Sequence, residues 1–210
     1  MKIVLASGSP RRKEILTEAG YDFVVHTTDC SEDTEETMPD YYVEELSYRK
    51  AEAVAREIMT GCYLVPEDDE EVIVVGADTV VAQEDAILGK PASIEEAQAM
   101  IRSLAGKSHS VFTGVSILKL IKNGSKYVLE VSETFSEETK VYVKPMTEEE
   151  IVNYVAQGES MDKAGAYAIQ GAFKPYIERF EGSYNNVVGF PIEAFTEHME
   201  ELEGEDSNAV

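Results

Sequence analysis

The sequence predicts a mixed α/β fold, and three observations carry that reading. Strand-like and helix-like segments alternate along the 210 residues with short connections. The run Val72-Ile73-Val74-Val75 is continuously apolar, as strands in the middle of a helix-covered sheet are. Ser93-Ile94-Glu95-Glu96 and Thr147 to Glu150 have the spacing of capping boxes that open helices. No repeat, linker or break marks two independent domains, so residues 1–203 read as one domain, large enough for two lobes around a cleft. Residues 204–210 read as a frayed tail.

The elements follow in order. Ile3-Val4-Leu5-Ala6 reads as a buried strand, and Lys13 to Ala19 as a helix closed by Gly20. Ser9 is placed to cap that helix, and Pro10 suits its first position, where its missing N–H costs nothing. A strand from Phe23 to His26 leads into the acidic stretch Asp29 to Asp40, and a helix capped by Asp40 runs from Tyr41 to about Met59. Glu71 to Ala77 is the central strand. Val80 to Ala82 and Ala86 to Leu88 form a small hairpin around Gln83-Glu84-Asp85. A helix runs from Ser93 to Leu104. His109 to Ile121 and Tyr127 to Phe135 pair as a long hairpin across Asn123-Gly124, with a further strand from Thr139 to Val143. Thr147 to Gln157 is a helix, Tyr176 to Phe180 a strand, and Pro191 to Glu203 a closing helix.

Composition narrows the function. The net charge of −23, from 18 basic and 41 acidic residues, argues against a nucleic-acid polymer as partner. No stretch approaches a membrane span, and the first apolar run is too short for a signal peptide. Cys30 and Cys62 form no metal or redox pattern, which points to the reducing cytoplasm. In so acidic a chain any local cluster of Lys and Arg stands out, and a phosphate site there calls for a divalent cation.

Ser7-Gly8-Ser9-Pro10-Arg11-Arg12 is such a cluster. A Gly-containing turn feeding a helix N-terminus offers free amides and the positive end of the dipole. Two arginines there oppose the dipole unless an anion is bound, and guanidinium forks match phosphate oxygens. The competing reading is a capped helix with two solvated arginines. Asp78, in Gly76-Ala77-Asp78-Thr79, follows the apolar run, where open sheets place their ligands; it reads either as a functional carboxylate or as the cap of a turn. Gly76 would let a ligand or neighbouring backbone approach. On a helical wheel Lys50 shares the apolar face of Val43, Leu46, Val54 and Ile58, opposite Glu45, Arg49, Glu52 and Arg56. An inward lysine either lines a cleft and meets phosphate or carboxylate, or snorkels to an edge. Gly89-Lys90-Pro91 and Asp162 to Gly171 set polar residues among small ones, and the Gln170 amide can read a base. His26, His109 and His198 show no ligand spacing and read as structural or exposed.

Together these runs, with Gly182-Ser183-Tyr184-Asn185-Asn186-Val187-Val188-Gly189-Phe190-Pro191, resemble the Maf-like nucleoside triphosphate pyrophosphatases, in order from about Ile3 to Ala194. The resemblance implies a two-lobed α/β fold of the inosine-triphosphate-pyrophosphatase kind, an elongated mixed sheet flanked by helices with a deep central cleft. It implies a homodimer that uses Mg²⁺ or Mn²⁺ to cleave a nucleoside triphosphate to the monophosphate and pyrophosphate. Carried onto this chain, the family's proton acceptor falls on Asp78, which with Glu32 would hold the metal. Arg12, Lys50 and Lys90 join it in catalysis, and Ser7, Arg11, Thr79, Lys163 and Gln170 bind substrate. Arg11, Thr79 and Gln170 together are similar to the branch acting on dTTP and UTP. The resemblance also admits another class, a nucleotide-binding regulator of cell division. Leu64 to Glu71 is longer than usual for the family and reads as a surface loop.

Overall fold

The computed structural model describes residues 2–65, 69–84 and 86–207. Asp85 in the expected hairpin turn, residues 66–68 of the expected surface loop and residues 208–210 of the expected tail lie outside them. Seven strands form one mixed sheet: β1 (Lys2–Leu5), β2 (Phe23–Val25), β3 (Glu71–Gln83), β4 (Ala86–Leu88), β5 (Ser108–Asn123), β6 (Lys126–Val143) and β7 (Ile177–Glu181). The order is β2-β1-β3-β5-β6-β7, with β4 on β3. β1 runs parallel to β2 and β3, and the remaining pairs are antiparallel. The helices are α1 (Pro10–Glu18), α2 (Pro39–Thr60), α3 (Ile94–Leu104), α4 (Glu148–Val155), α5 (Tyr184–Val188) and α6 (Ile192–Ser207).

The core lies on both faces of the sheet, and strand alternation decides which side chain serves which face. Val4, Val72 and Val74 pack with Ala51, Val54 and Ile58 of α2. Their neighbours Ile3, Leu5, Ile73 and Val75 pack with Ile15 and Leu16 of α1, Ile101 and Leu104 of α3, Tyr154 of α4 and Phe195 of α6. This two-sided burial is why the central strand reads as an unbroken apolar run. Both capping boxes form their N-cap bonds, with the Glu96 and Glu150 amides donating to Ser93 Oγ and Thr147 Oγ1.

Several boundaries differ from expectation. β3 continues through Asp78 and Thr79 as one thirteen-residue strand, because its ladder with β5 holds from Glu71 to Ala82. Asp78 therefore lies inside a strand rather than past its end, and does not cap a turn. β6 likewise absorbs two expected strands into one. α1 begins at Pro10, and the Ser9 hydroxyl at its N-cap makes no capping bond. α2 is capped by Met38 with Pro39 in its first turn; Asp40 lies one position inside, where the dipole favours a carboxylate. α6 continues past Gly204 to Ser207. α5 was not foreseen, since five residues are too few to show a helical period.

Candidate active site

Two glycines place the site. A Cβ on Gly76 of β3 would stand 2.2 Å from the Ser47 carbonyl oxygen of α2, and one on Gly114 of β5 would stand 2.3 Å from that of Val43. Without these side chains the backbone of α2 lies directly on the sheet, so the approach expected at Gly76 is made by α2. Gly114, opposite Asp78 in the ladder, was not singled out from sequence because its partner helix is distant in the chain. One turn beyond Ser47, Lys50 reaches the sheet: its Nζ donates to Asp78 Oδ1 at 2.6 Å and pairs with Glu32 Oε1 at 2.8 Å. The inward lysine thus meets two carboxylates and bridges them. Burial works against its charge, but Asp78 and Glu32 more than offset this, and its pKa stands above the ordinary lysine value. The hydrogen bond and charge of Lys50 hold the Glu32 carboxyl below the usual range.

Thr79, next along β3, faces the other side of the sheet and meets Arg12 of α1. Arg12 Nε donates to the Gly189 carbonyl at 2.9 Å, and Nη1 donates to Ser7 Oγ at 3.0 Å and the Ala77 carbonyl at 2.8 Å. Nη2 donates to Thr79 Oγ1 at 3.1 Å. Protein acceptors therefore take four of the five N–H groups of a guanidinium. Burial lowers the Arg12 pKa, against the pull of Asp78 and Glu32. Behind Thr79 the network continues through Thr113 Oγ1 at 3.0 Å, which donates to the Asn186 carbonyl at 3.1 Å. Asn186, fully buried, donates to the Val111 carbonyl and to Thr139 Oγ1, both at 3.0 Å. Thr113 gave no signal in the sequence; Asn186 lay in a polar run whose buried role the tertiary fold creates.

These walls enclose a cleft of about 910 Å³. Every expected site residue lines it: Ser7, Arg11, Arg12, Glu32, Lys50, Asp78, Thr79, Lys90, Lys163 and Gln170. Five of the chain's 18 Lys and Arg face it, against four of its 41 acidic residues, so the cleft is a local departure from a strongly acidic surface. Among the described residues Arg11 and Lys90 make no ion pair, while Lys163 pairs with its neighbour Asp162. Tyr167 adds an aromatic wall, its hydroxyl 2.7 Å from His109 Nε2. Burial lowers the His109 pKa to about 4. The other histidines are structural as expected: His26 pairs with Glu57, and His198 with Glu133 at 2.5 Å. Glu133, His198 and Glu201 could together hold a metal, and none of them lines the cleft.

The fold and site define a class: an α/β protein whose cleft sets a carboxylate held by Lys50 against cations, Arg11 and Lys90, that make no ion pair among the described residues, an arrangement suited to a polyphosphate ester. A family description, Maf-like protein, matches residues 2–202, and the chain belongs to that family. It is 46% identical over 192 residues to a dTTP/UTP pyrophosphatase of Thermoanaerobacter pseudethanolicus, covering 91% of this chain and 92% of that one. The dTTP/UTP pyrophosphatase of Agathobacter rectalis is 43% identical over 206 residues, with 96% and 97% covered. The solved Staphylococcus aureus Ham1 protein aligns at TM-score 0.39 and 14% identity over 68% of this chain and 72% of that one, too distant to carry an argument.

Proposed function

We propose that this protein hydrolyses dTTP and UTP to the monophosphate and pyrophosphate. The observation that carries the reading is Asp78, held by Lys50, which also pairs with Glu32, in a cleft lined as well by Arg11 and Lys90. Relatives named for that activity cover nine-tenths or more of the chain.

Asp78 Oδ1 is engaged by Lys50, and among the described residues Oδ2 has no hydrogen-bond donor. That oxygen takes a proton from the attacking water as the water oxygen bonds to the α-phosphorus and the bond to the bridging oxygen of pyrophosphate breaks. Arg11, Lys90 and Lys163 meet the triphosphate, and the one uncommitted Arg12 N–H and the Ser7 hydroxyl add donors. Arg12 serves chiefly to hold β3. Asp78 and Glu32 are hard oxygen donors brought to one point by Lys50. They fit Mg²⁺ or Mn²⁺, which binds through one or two carboxylates with substrate phosphates and water. When bound, such an ion offsets charge developing on the phosphates.

The exposed Gln170 lines the cleft and offers one acceptor and two donors to the carbonyl and imide edge of uracil or thymine. The same reading takes the chain as one Maf-like domain that acts as a cytoplasmic homodimer on free nucleotides. Neither a nucleic-acid polymer nor a membrane is its partner. The charge of −23 and two unpaired cysteines support this, and no helix among the described residues is long and apolar enough to cross a membrane. The test is kcat/KM across the triphosphates for the wild type and Gln170→Glu. We expect dTTP and UTP to lead, and the variant, which cannot donate when ionised, to lose that lead by about tenfold or more. Purines hydrolysed as well as pyrimidines by the wild type would overturn base reading, and binding without pyrophosphate release would overturn the activity.

A further inference from the structure

Gln170 stands in a turn whose far end is tied to a carboxylate outside the cleft. The Gly171 N–H donates to the Ala168 carbonyl at 3.2 Å, closing the turn, and the Lys174 N–H donates back to the Gly171 carbonyl at 3.0 Å. Between them the Ala172 N–H donates to Glu159 Oε2 at 2.9 Å. A Cβ on Gly171 would fall 1.5 Å from Glu159 Oε1 and 2.2 Å from its Cδ. Gly171 does not have a left-handed φ, so what its missing side chain provides is the room that the Glu159 carboxylate occupies rather than backbone freedom. The absent side chain makes the slot the carboxylate fills. Glu159 is itself launched from α4 through Gly158, whose φ of +78° turns the chain and whose N–H donates to the Val155 carbonyl. The end of α4, one glycine and one carboxylate thus tie down the turn that carries Gln170.

We infer that Glu159 is a positioning residue for base selection: it sets the place of Gln170 through the Ala172 amide without touching the nucleotide. The inference rests on the base-reading role proposed for Gln170. Gly171 is the second half of the device, since Gly171→Ala would drive the carboxylate off the amide while leaving the backbone an ordinary conformation.

The experiment is a double-mutant cycle read by steady-state kinetics on dTTP, UTP and GTP, with thermal melts of each protein. We expect Glu159→Ala to raise KM for dTTP about tenfold, with kcat within about threefold, and to cut the dTTP-over-GTP ratio about tenfold. Glu159→Gln keeps a carbonyl acceptor for the Ala172 amide and should restore both values to within about twofold. Gly171→Ala should reproduce the Glu159→Ala pattern, and the double variant should be no worse than either single one, because both remove the same contact. Full additivity would overturn the inference, as would a lowered melting temperature with KM and selectivity unchanged. Gln170→Ala is the control. If it abolishes selectivity while Glu159→Ala does not, the inference alone fails; if it leaves selectivity intact, the base-reading role fails and takes the inference with it.

Discussion

On the floor of the cleft almost every polar group has a protein partner, whereas on the rim the cations Arg11 and Lys90 have none among the described residues. Lys50 bridges Asp78 and Glu32, and Arg12 spends four N–H groups on Ser7, Ala77, Thr79 and Gly189. On the proposed function, the difference is how a chain of net charge −23 would make a polyphosphate site. The charges that set its geometry are neutralised internally, whereas Arg11 and Lys90, proposed to meet the ligand, make no ion pair among the described residues; Lys163, proposed for the same role, has only its neighbour Asp162. A catalytic carboxylate must keep one position, so it is fixed; a phosphate ligand must be exchanged, so the groups that hold it are not otherwise committed.

The comparison breaks most directly at Asp78. We expect Asp78→Asn to lower kcat by about 10² to 10⁴ while nucleotide binding stays measurable, because an amide cannot take the proton. Turnover within about threefold of wild type would remove Asp78 from the mechanism. Arg12→Ala should strike the floor as architecture. It strands the carbonyls of Ala77 and Gly189 and should cost about 3–5 kcal/mol in denaturant unfolding along with activity. A variant as stable as wild type would show that Arg12 belongs with the rim.

His109 lies behind the rim, buried against Tyr167, and tests whether that wall is as fixed as the floor. Its folded pKa of about 4 lies below the ordinary 6.5, so between these values the unfolded chain takes a proton that the folded protein refuses. Stability from this group falls as pH drops through that window, reaching about 3 kcal/mol below it, and it has no effect above pH 6.5. His109→Asn should flatten this part of the melting-temperature profile between pH 7 and 4; identical slopes would refute the assignment. Lys90→Ala should be the mildest, raising KM for dTTP about tenfold, or about 1.4 kcal/mol, with an unchanged melting temperature. A large loss of stability would place Lys90 with the floor.

Much of this was legible in the sequence because it is written locally. The apolar run at Val72 to Val75 announces a strand buried on both faces, and the capping boxes at Ser93 and Thr147 announce helices in four residues each. Lys50, Arg11 and Arg12 stood out because a lysine on an apolar helix face and arginines at a helix start are locally out of place, whereas Glu32 and the roles of Ser7, Thr79, Lys90 and Lys163 came from the resemblance to the family. By itself, then, the sequence determined the mixed α/β class, the position of most elements and the identity of the charged groups in the cleft. The tertiary structure alone decided how they are used. Gly76 and Gly114 act only through the helix laid across them, Thr113 and Asn186 matter only as the backing of Thr79, and Asp78 lies within a strand because a ladder closes around it. The physical reason is range: periodicity and capping are set by neighbours three or four residues apart, whereas the partners that commit a charge to floor or rim come from segments distant in the chain.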